Sequence, residues 1–254
     1  MHALLKISTA AAFALIAAGA SADELVALSA AAVKSSLANL PQAYQDKNGN
    51  SVRISFGTAG AMRDLALQGA RFDVIILTPA AMKELEARSL VEAASALTLG
   101  TTSLGAAVAR GHAMPDIGSV EALKQALLSA SSIGIADPAR GATTGIYLVK
   151  LFERLGLSAH IKDKLKVFPE GQNAMEAVAR GEVEIGLGQL SEAAPVPGLA
   201  PLMTLPDAVQ LRSVYVAAIA AQTGRRAAAQ ALLELIKSAP LQEALRANGF
   251  STPN

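Results

Sequence analysis

The sequence predicts an α/β protein of two lobes, each a mostly parallel sheet flanked by helices. Three observations carry this reading. Short apolar runs rich in Val and Ile recur along the chain, as strands covered on both faces require. Segments with apolar residues at helical spacing separate most of them. The βα units fall into two blocks of about three each, and domains of ~100 residues are common, which favours two smaller sheets over a single large one.

The first 22 residues stand apart. Lys6 lies in a short basic head, residues 7–18 form an apolar run too short to span a bilayer, and Ala20-Ser21-Ala22 fits the small-x-small cleavage rule ahead of Asp23. Residues 1–22 are therefore expected to be a secretory signal peptide, and the mature chain to be periplasmic. Strands follow at LVALSA (25–30), VRISFG (52–57), DVIILT (73–78), SLGAAVA (103–109), SIGIA (132–136), KVFPE (166–170), EIGLGQL (184–190) and SVYVAAIA (213–220). Pro41 interrupts the pattern over 33–47 and should kink or restart that helix. Ser119 is placed to cap a helix over 120–129, with Glu121 in its first turn. Leu148, Leu151, Phe152 and Leu155 make one helical face, and Gly156 and Gly181 close helices. Two helices, 225–237 and 240–248, end the pattern with no further strand expected.

Composition narrows the function. Lys6 is the one Lys or Arg in residues 1–22, so 21 basic and 21 acidic residues remain beyond them. A neutral chain without basic tracts argues against nucleic acid or an anionic membrane as partner. There is no Cys, hence no disulfide and no thiolate metal site. His112 and His160 have no ligand-like spacing with each other or with acids, so no metal site is expected. Gly-x-Ser-x-Gly, Gly-x-Gly-x-x-Gly and Gly-Lys-Ser/Thr phosphate-loop patterns are missing, and no cofactor is expected.

Open parallel sheets bind ligands outside the carboxyl ends of their strands, beside helix N-termini. Those ends read SAAAVKSS (29–36), FGTAGAM (56–62), DPARGATTGIY (137–147), PEGQNAM (169–175) and GQLSEA (188–193). Small residues there leave first-turn N–H groups uncovered, and with the helix dipole these favour an anion. Thr143 and Thr144 are placed to cap their helix or donate hydroxyls. Gly141 and Gly145 would let backbone approach a ligand closely. Arg140 is suited to pair with a carboxylate. Glu192 either sits near such a site or begins a loop.

The order of these motifs resembles the molybdate-binding-protein-like family of type II periplasmic solute-binding proteins. The likeness rests on SAAAVKSSL, SFGTAGAMRDLALQGARFDVIIL, DPARGATTGIYLVKLFERLGL and GEVEIGLGQLSE, and spans nearly the whole mature chain. It implies a ligand held between two lobes, with crossings near 99–105 and 207–216. One lobe would comprise 23–102 and 213–254, the C-terminal helices returning to it, and the other 103–212. It places Ala32, Ala59 with Thr58 beside it, Thr144, either Gly171 or Gln172, and Gln189 at the family's ligand contacts, and the same loops add Lys34, Gly60, Arg140 and Thr143 as this chain's own candidates. Here the chain departs from true molybdate binders. Ala32 and Ala59 stand where the family carries Ser, and Gln189 stands where it carries Tyr. Losing two or three donors to a charged ligand, at about 1.5–3 kcal/mol each, removes most high-affinity molybdate binding.

The resemblance thus implies a monomeric solute-binding protein that captures a small anion, an organic carboxylate rather than molybdate, for an inner-membrane ABC transporter. The alternative is an aconitate isomerase-like enzyme on the same scaffold, since the broad family is also associated with that reaction. An allylic proton shift needs one acid/base group and cations for three carboxylates. Lys34, Glu170 and Tyr147 are the candidates for it.

Overall fold

The computed structural model describes residues 24–253; the expected signal peptide lies outside them. The first stretch runs β1 (Leu25–Ala30), α1 (Leu40–Asn48), β2 (Val52–Gly57), α2 (Ala59–Leu67), β3 (Val74–Leu77), α3 (Pro79–Glu86) and β4 (Leu97–Ala107). The second runs α4 (Val120–Ser129), β5 (Ile133–Ala136), α5 (Thr143–Arg154), α6 (Ser158–Ile161), β6 (Leu165–Phe168), α7 (Gly171–Ala179), β7 (Ile185–Gln189), α8 (Leu190–Ala193) and β8 (Met203–Thr204). The chain then returns through β9 (Arg212–Ile219), α9 (Arg226–Ile236), α10 (Ala239–Ala247) and β10 (Phe250–Ser251).

Hydrogen bonding orders the main strands β2-β1-β3-β9-β4-β7-β5-β6. Two parallel trios, β2-β1-β3 and β6-β5-β7, lie at its ends. The central strands β9 and β4 run antiparallel to their neighbours, so both sheets are mixed. β4 changes partner midway: Leu97–Ser103 pairs with β9, and Leu104–Ala107 pairs with β7. Its 11 residues extend roughly 35 Å at 3.2–3.4 Å per residue, enough to leave one sheet and enter the other. Gln210 steadies the second crossing: its Oε1 accepts from the Leu104 amide at 2.8 Å and its Nε2 donates to the Leu205 carbonyl at 2.9 Å.

The cores divide in the same way. Leu25, Ile75, Ile219, Leu232 and Leu245 belong to one buried cluster, so the C-terminal helices pack on the first lobe. Ile133, Ile135, Leu148, Phe152 and Ile185 belong to another, in the second lobe. Local signals operate as their chemistry dictates. Pro41 lies in the first turn of α1, so the helix restarts there. The Ser119 hydroxyl accepts from the Ala122 amide at 3.1 Å. Gly156 and Gly181 turn the chain at φ +71° and +74°. One feature departs from the expected order. Phe250–Ser251 pairs with Thr101–Thr102 of β4 as a closing strand, where none was expected. Two residues are too few to display an alternating pattern in sequence.

Candidate functional site

The loops after β1, β2, β5, β6 and β7 meet in one cleft between the lobes, with β9 passing behind. Its lining comprises Ala30–Ala32, Thr58 and Ala59 from the first lobe, and Ala142–Thr144, Glu170, Gly171, Gln189 and Glu192 from the second, together with Tyr215. The lobes are nearly closed on it, leaving a free volume of about 20 Å³. Three helices of at least nine residues start at this cleft: α2 at Ala59, α5 at Thr143 and α7 at Gly171. Their first amides have no acceptor within the helix and carry the positive end of its dipole. Several of them are already engaged: Gly60 and Ala61 in α2 with the Gly141 carbonyl and the Thr58 hydroxyl, and Gly171 in α7 with Glu192. Among the described residues lining the cleft, none is Lys or Arg.

The two lobes touch at the cleft rim. The Thr58 hydroxyl donates to the Arg140 carbonyl and accepts from the Ala61 amide at 3.1 Å, so it both caps α2 and reaches across. The Gly60 amide donates to the Gly141 carbonyl at 3.1 Å. A Cβ on Gly60 would stand 2.6 Å from Gly141 Cα, so glycine is what allows this approach. Gly141 also takes φ +72°, a left-handed conformation that suits glycine.

The floor carries the strongest electrostatics. Gln189 and Glu192 form a capping box at the start of α8, in which the Gln189 amide donates to Glu192 Oε2 at 3.0 Å. The Gly171 amide also bonds this carboxylate, and a Cβ at Gly171 would overlap both of its oxygens. Glu192 is 8% exposed. Burial, with the neighbouring Glu170 charge adding to it, pushes its carboxyl up to about 7 against the two backbone bonds. The Gln189 side chain exchanges hydrogen bonds with the Tyr215 hydroxyl: Nε2 donates at 2.8 Å, and the phenol donates back to Oε1 at 3.1 Å. Burial and the nearby Glu192 raise the Tyr215 phenol above its ordinary value, so it stays protonated. Phe250 meets the Tyr215 ring edge-on at 6.0 Å, which ties the closing strand to the site.

Of the residues singled out from sequence, Ala32, Thr58, Ala59, Thr143, Thr144, Glu170, Gly171 and Gln189 line the cleft. The others lie elsewhere. Lys34 ends the 3-10 turn after β1 and is exposed. The Arg140 side chain is exposed, and its carbonyl makes the contact. Gln172 donates to Glu176 of its own helix at 3.0 Å. The Tyr147 hydroxyl donates to the Val209 carbonyl at 2.9 Å, toward the second-lobe core. Gly60 lies at the rim. Thr143 and Thr144 do not cap: Ala142 is the N-cap residue of α5 and both Thr lie inside the first turn. Gly145 packs α5 onto β5, since a Cβ there would overlap the Ala136 carbonyl.

Tyr215 and the role of Glu192 escaped the sequence reading. Two signals pointed to them: Gln189-x-x-Glu192 has capping-box spacing, and Tyr215 is a lone phenol in an aliphatic strand, which needs a partner once buried. A larger open depression of about 730 Å³ lies over Arg110–His112 and residues 193–202. None of the three helix starts opens into it, so the smaller cleft is the candidate site. Among the described residues no acidic or His group is arranged to hold a metal ion, and no helix is long and apolar enough to cross a membrane.

Comparison with known proteins agrees with this architecture. The family model for bacterial extracellular solute-binding proteins matches residues 25–251. An aconitate isomerase of a Pseudomonas species is 29% identical over 234 residues, covering 89% of this chain and 87% of that protein. The molybdate-binding protein ModA of Rhodobacter capsulatus is 27% identical over 235 residues, covering 92% and 90%. The solved periplasmic molybdate-binding protein of Azotobacter vinelandii superposes with a TM-score of 0.75 at 19% identity, covering 91% of this chain and all of that one. A two-lobed type II periplasmic-binding-protein fold and a family match over nearly all described residues lead to one conclusion: the chain belongs to the bacterial extracellular solute-binding protein family, as a divergent, molybdate-binding-protein-like member.

Proposed function

We propose that the protein captures a small organic carboxylate in the interlobe cleft and delivers it to an inner-membrane ABC transporter. The observation that carries this reading is the meeting of helix starts from both lobes at a cleft lined by small and hydroxyl residues. Neutral donors of this kind contribute about 1.5–3 kcal/mol each when they bond a charged group. Glu170 and Glu192 already bring acidic groups to the cleft, and none of the described residues lining it is a cation, so a ligand with a single carboxylate fits best. A tetrahedral dianion such as molybdate adds a second charge with nothing to neutralise it. Ala32 and Ala59 supply no hydroxyl there.

In this reading the mature chain, 23–254, acts as a periplasmic monomer. Residues 23–102 with 213–254 form one lobe and 103–212 the other, and they close on the ligand by rotation near 99–105 and 207–216. The test is a panel of melting scans with acetate, glycolate, molybdate and trans-aconitate. A ligand at 100 times its dissociation constant stabilises by about 2.7 kcal/mol, a shift of several degrees. Acetate or glycolate should give it and molybdate should not; the reverse pattern would sink the reading.

One observation favours a second reading, isomerisation of aconitate. A carboxyl raised to about 7 is suited to move a proton near neutral pH, and Glu192 lies in the cleft beside Glu170. The lack of lining cations for three carboxylates weighs against it. Conversion of trans- to cis-aconitate by purified protein, lost in Glu192→Gln, would decide for the enzyme.

A further inference from the structure

The cleft read as an anion site contains a proton acceptor of its own. Glu192 is enclosed at the floor, with its carboxylate against the Gly171 backbone and one oxygen on the Gln189 amide. A deprotonated anion entering beside it would place two acceptors face to face, with no proton between them and no lining cation. Like charges in an enclosed site do not both stay ionised.

The surroundings leave Glu192 as the group that must respond. α8 packs against α7, β4, β7 and the 3-10 turn after β1. β4 and β7 contribute no titratable residue. On α7, Glu176 is taken up by Gln172 and Asn173. Lys34, at the end of the 3-10 turn, is exposed. Arg180, which ends α7, is engaged with Glu182, and Arg212 of β9 with Asp207. The Tyr215 phenol proton is committed to Gln189 Oε1. Glu170 shares the cleft as a second acid rather than as a counter-charge.

We propose that Glu192 makes anion capture proton-linked, so that the liganded cleft holds one proton between Glu192 and the ligand. An acid with no donor of its own takes that proton from solvent. An acid carrying a hydroxyl beside its carboxylate supplies the hydrogen bond itself. Glu192 is therefore the residue that prefers hydroxy acids above neutral pH. The inference rests on the anion-cleft reading of the preceding section.

Acetate and glycolate differ in that hydroxyl and serve as probes. Each is titrated calorimetrically into the wild-type protein between about pH 6 and about pH 9, in two buffers of different ionisation enthalpy, which reports the protons bound. Acetate affinity should fall about tenfold per pH unit above about pH 7, with close to one proton taken up. Glycolate affinity should fall less steeply than acetate affinity, with clearly less than one proton taken up. In Glu192→Gln, acetate binding should lose its pH dependence. Acetate binding with flat affinity and no proton uptake in the wild type would overturn the inference alone, whether or not the variant folds. Failure of both acids to bind either protein would overturn the cleft reading and the inference with it.

Discussion

Glu192→Gln should turn a pH-dependent protein into a flatter one. The Glu192 carboxyl moves from 4.5 to about 7 on folding, mainly through burial. The shift of about 2.5 units, at about 1.4 kcal/mol per unit, is worth about 3 kcal/mol. Its sign follows from the direction. A folded value above the unfolded one means the native state binds the proton more tightly, so the contribution is fully present below 4.5 and is lost as pH rises toward 7. Glutamine stays neutral throughout and keeps a carbonyl oxygen for one of the two backbone amides, much as the protonated acid does. The variant should match the wild type within about 1 kcal/mol near pH 4 and exceed its stability by about 3 kcal/mol near pH 8. Urea unfolding followed by circular dichroism at both pH values measures the difference, in which the other titrating groups cancel. A stability difference that does not change with pH would refute the placement of this carboxyl.

Three further changes probe the rim, the floor and the packing beneath. Gly60→Val should hold the lobes apart, since a Cβ at that site would lie 2.6 Å from Gly141 Cα and 2.9 Å from its carbonyl oxygen. Overpacking of about 1–3 kcal/mol predicts a roughly 5- to 150-fold loss of glycolate affinity by calorimetry with each lobe still folded, and unchanged affinity would contradict the rim contact. Tyr215→Phe leaves the Gln189 amide without its buried partner and should lower stability by about 1–3 kcal/mol, seen as a lower urea midpoint with unchanged slope. Gly145→Ala drives a methyl into the Ala136 carbonyl and should cost at least as much; a neutral result would mean that α5 does not sit against β5 as described.

Backbone-level features were the ones legible in sequence. The apolar runs that became β1, β2, β5 and β7 are short and contain Val or Ile, and the stretches after them are rich in Gly, Ala, Ser or Thr, so their ends and the helices after them could be located. The cleft-lining loops followed from that. Side-chain direction was not legible. Lys34 and Arg140 lie within a few residues of the cleft, yet both are exposed, because the turn each occupies fixes which way it faces. Gly60, Gly141 and Gly145 were read as places where a ligand approaches; each instead admits another stretch of backbone, from a partner distant in sequence for the first two. The perturbation of Glu192 and the protonation of Tyr215 are products of burial. Gln189 and Tyr215 are joined across 26 positions, a pairing that no local spacing signals.

The most direct measurement of the central claim is a crystal structure of the protein with glycolate bound. The carboxylate should lie between the lobes, within hydrogen-bond distance of the Thr144 hydroxyl and of the first amides of α2 and α5, with the ligand hydroxyl toward Glu192. Glycolate lodged outside this cleft, or an open cleft holding solvent alone at saturating glycolate, would contradict the account.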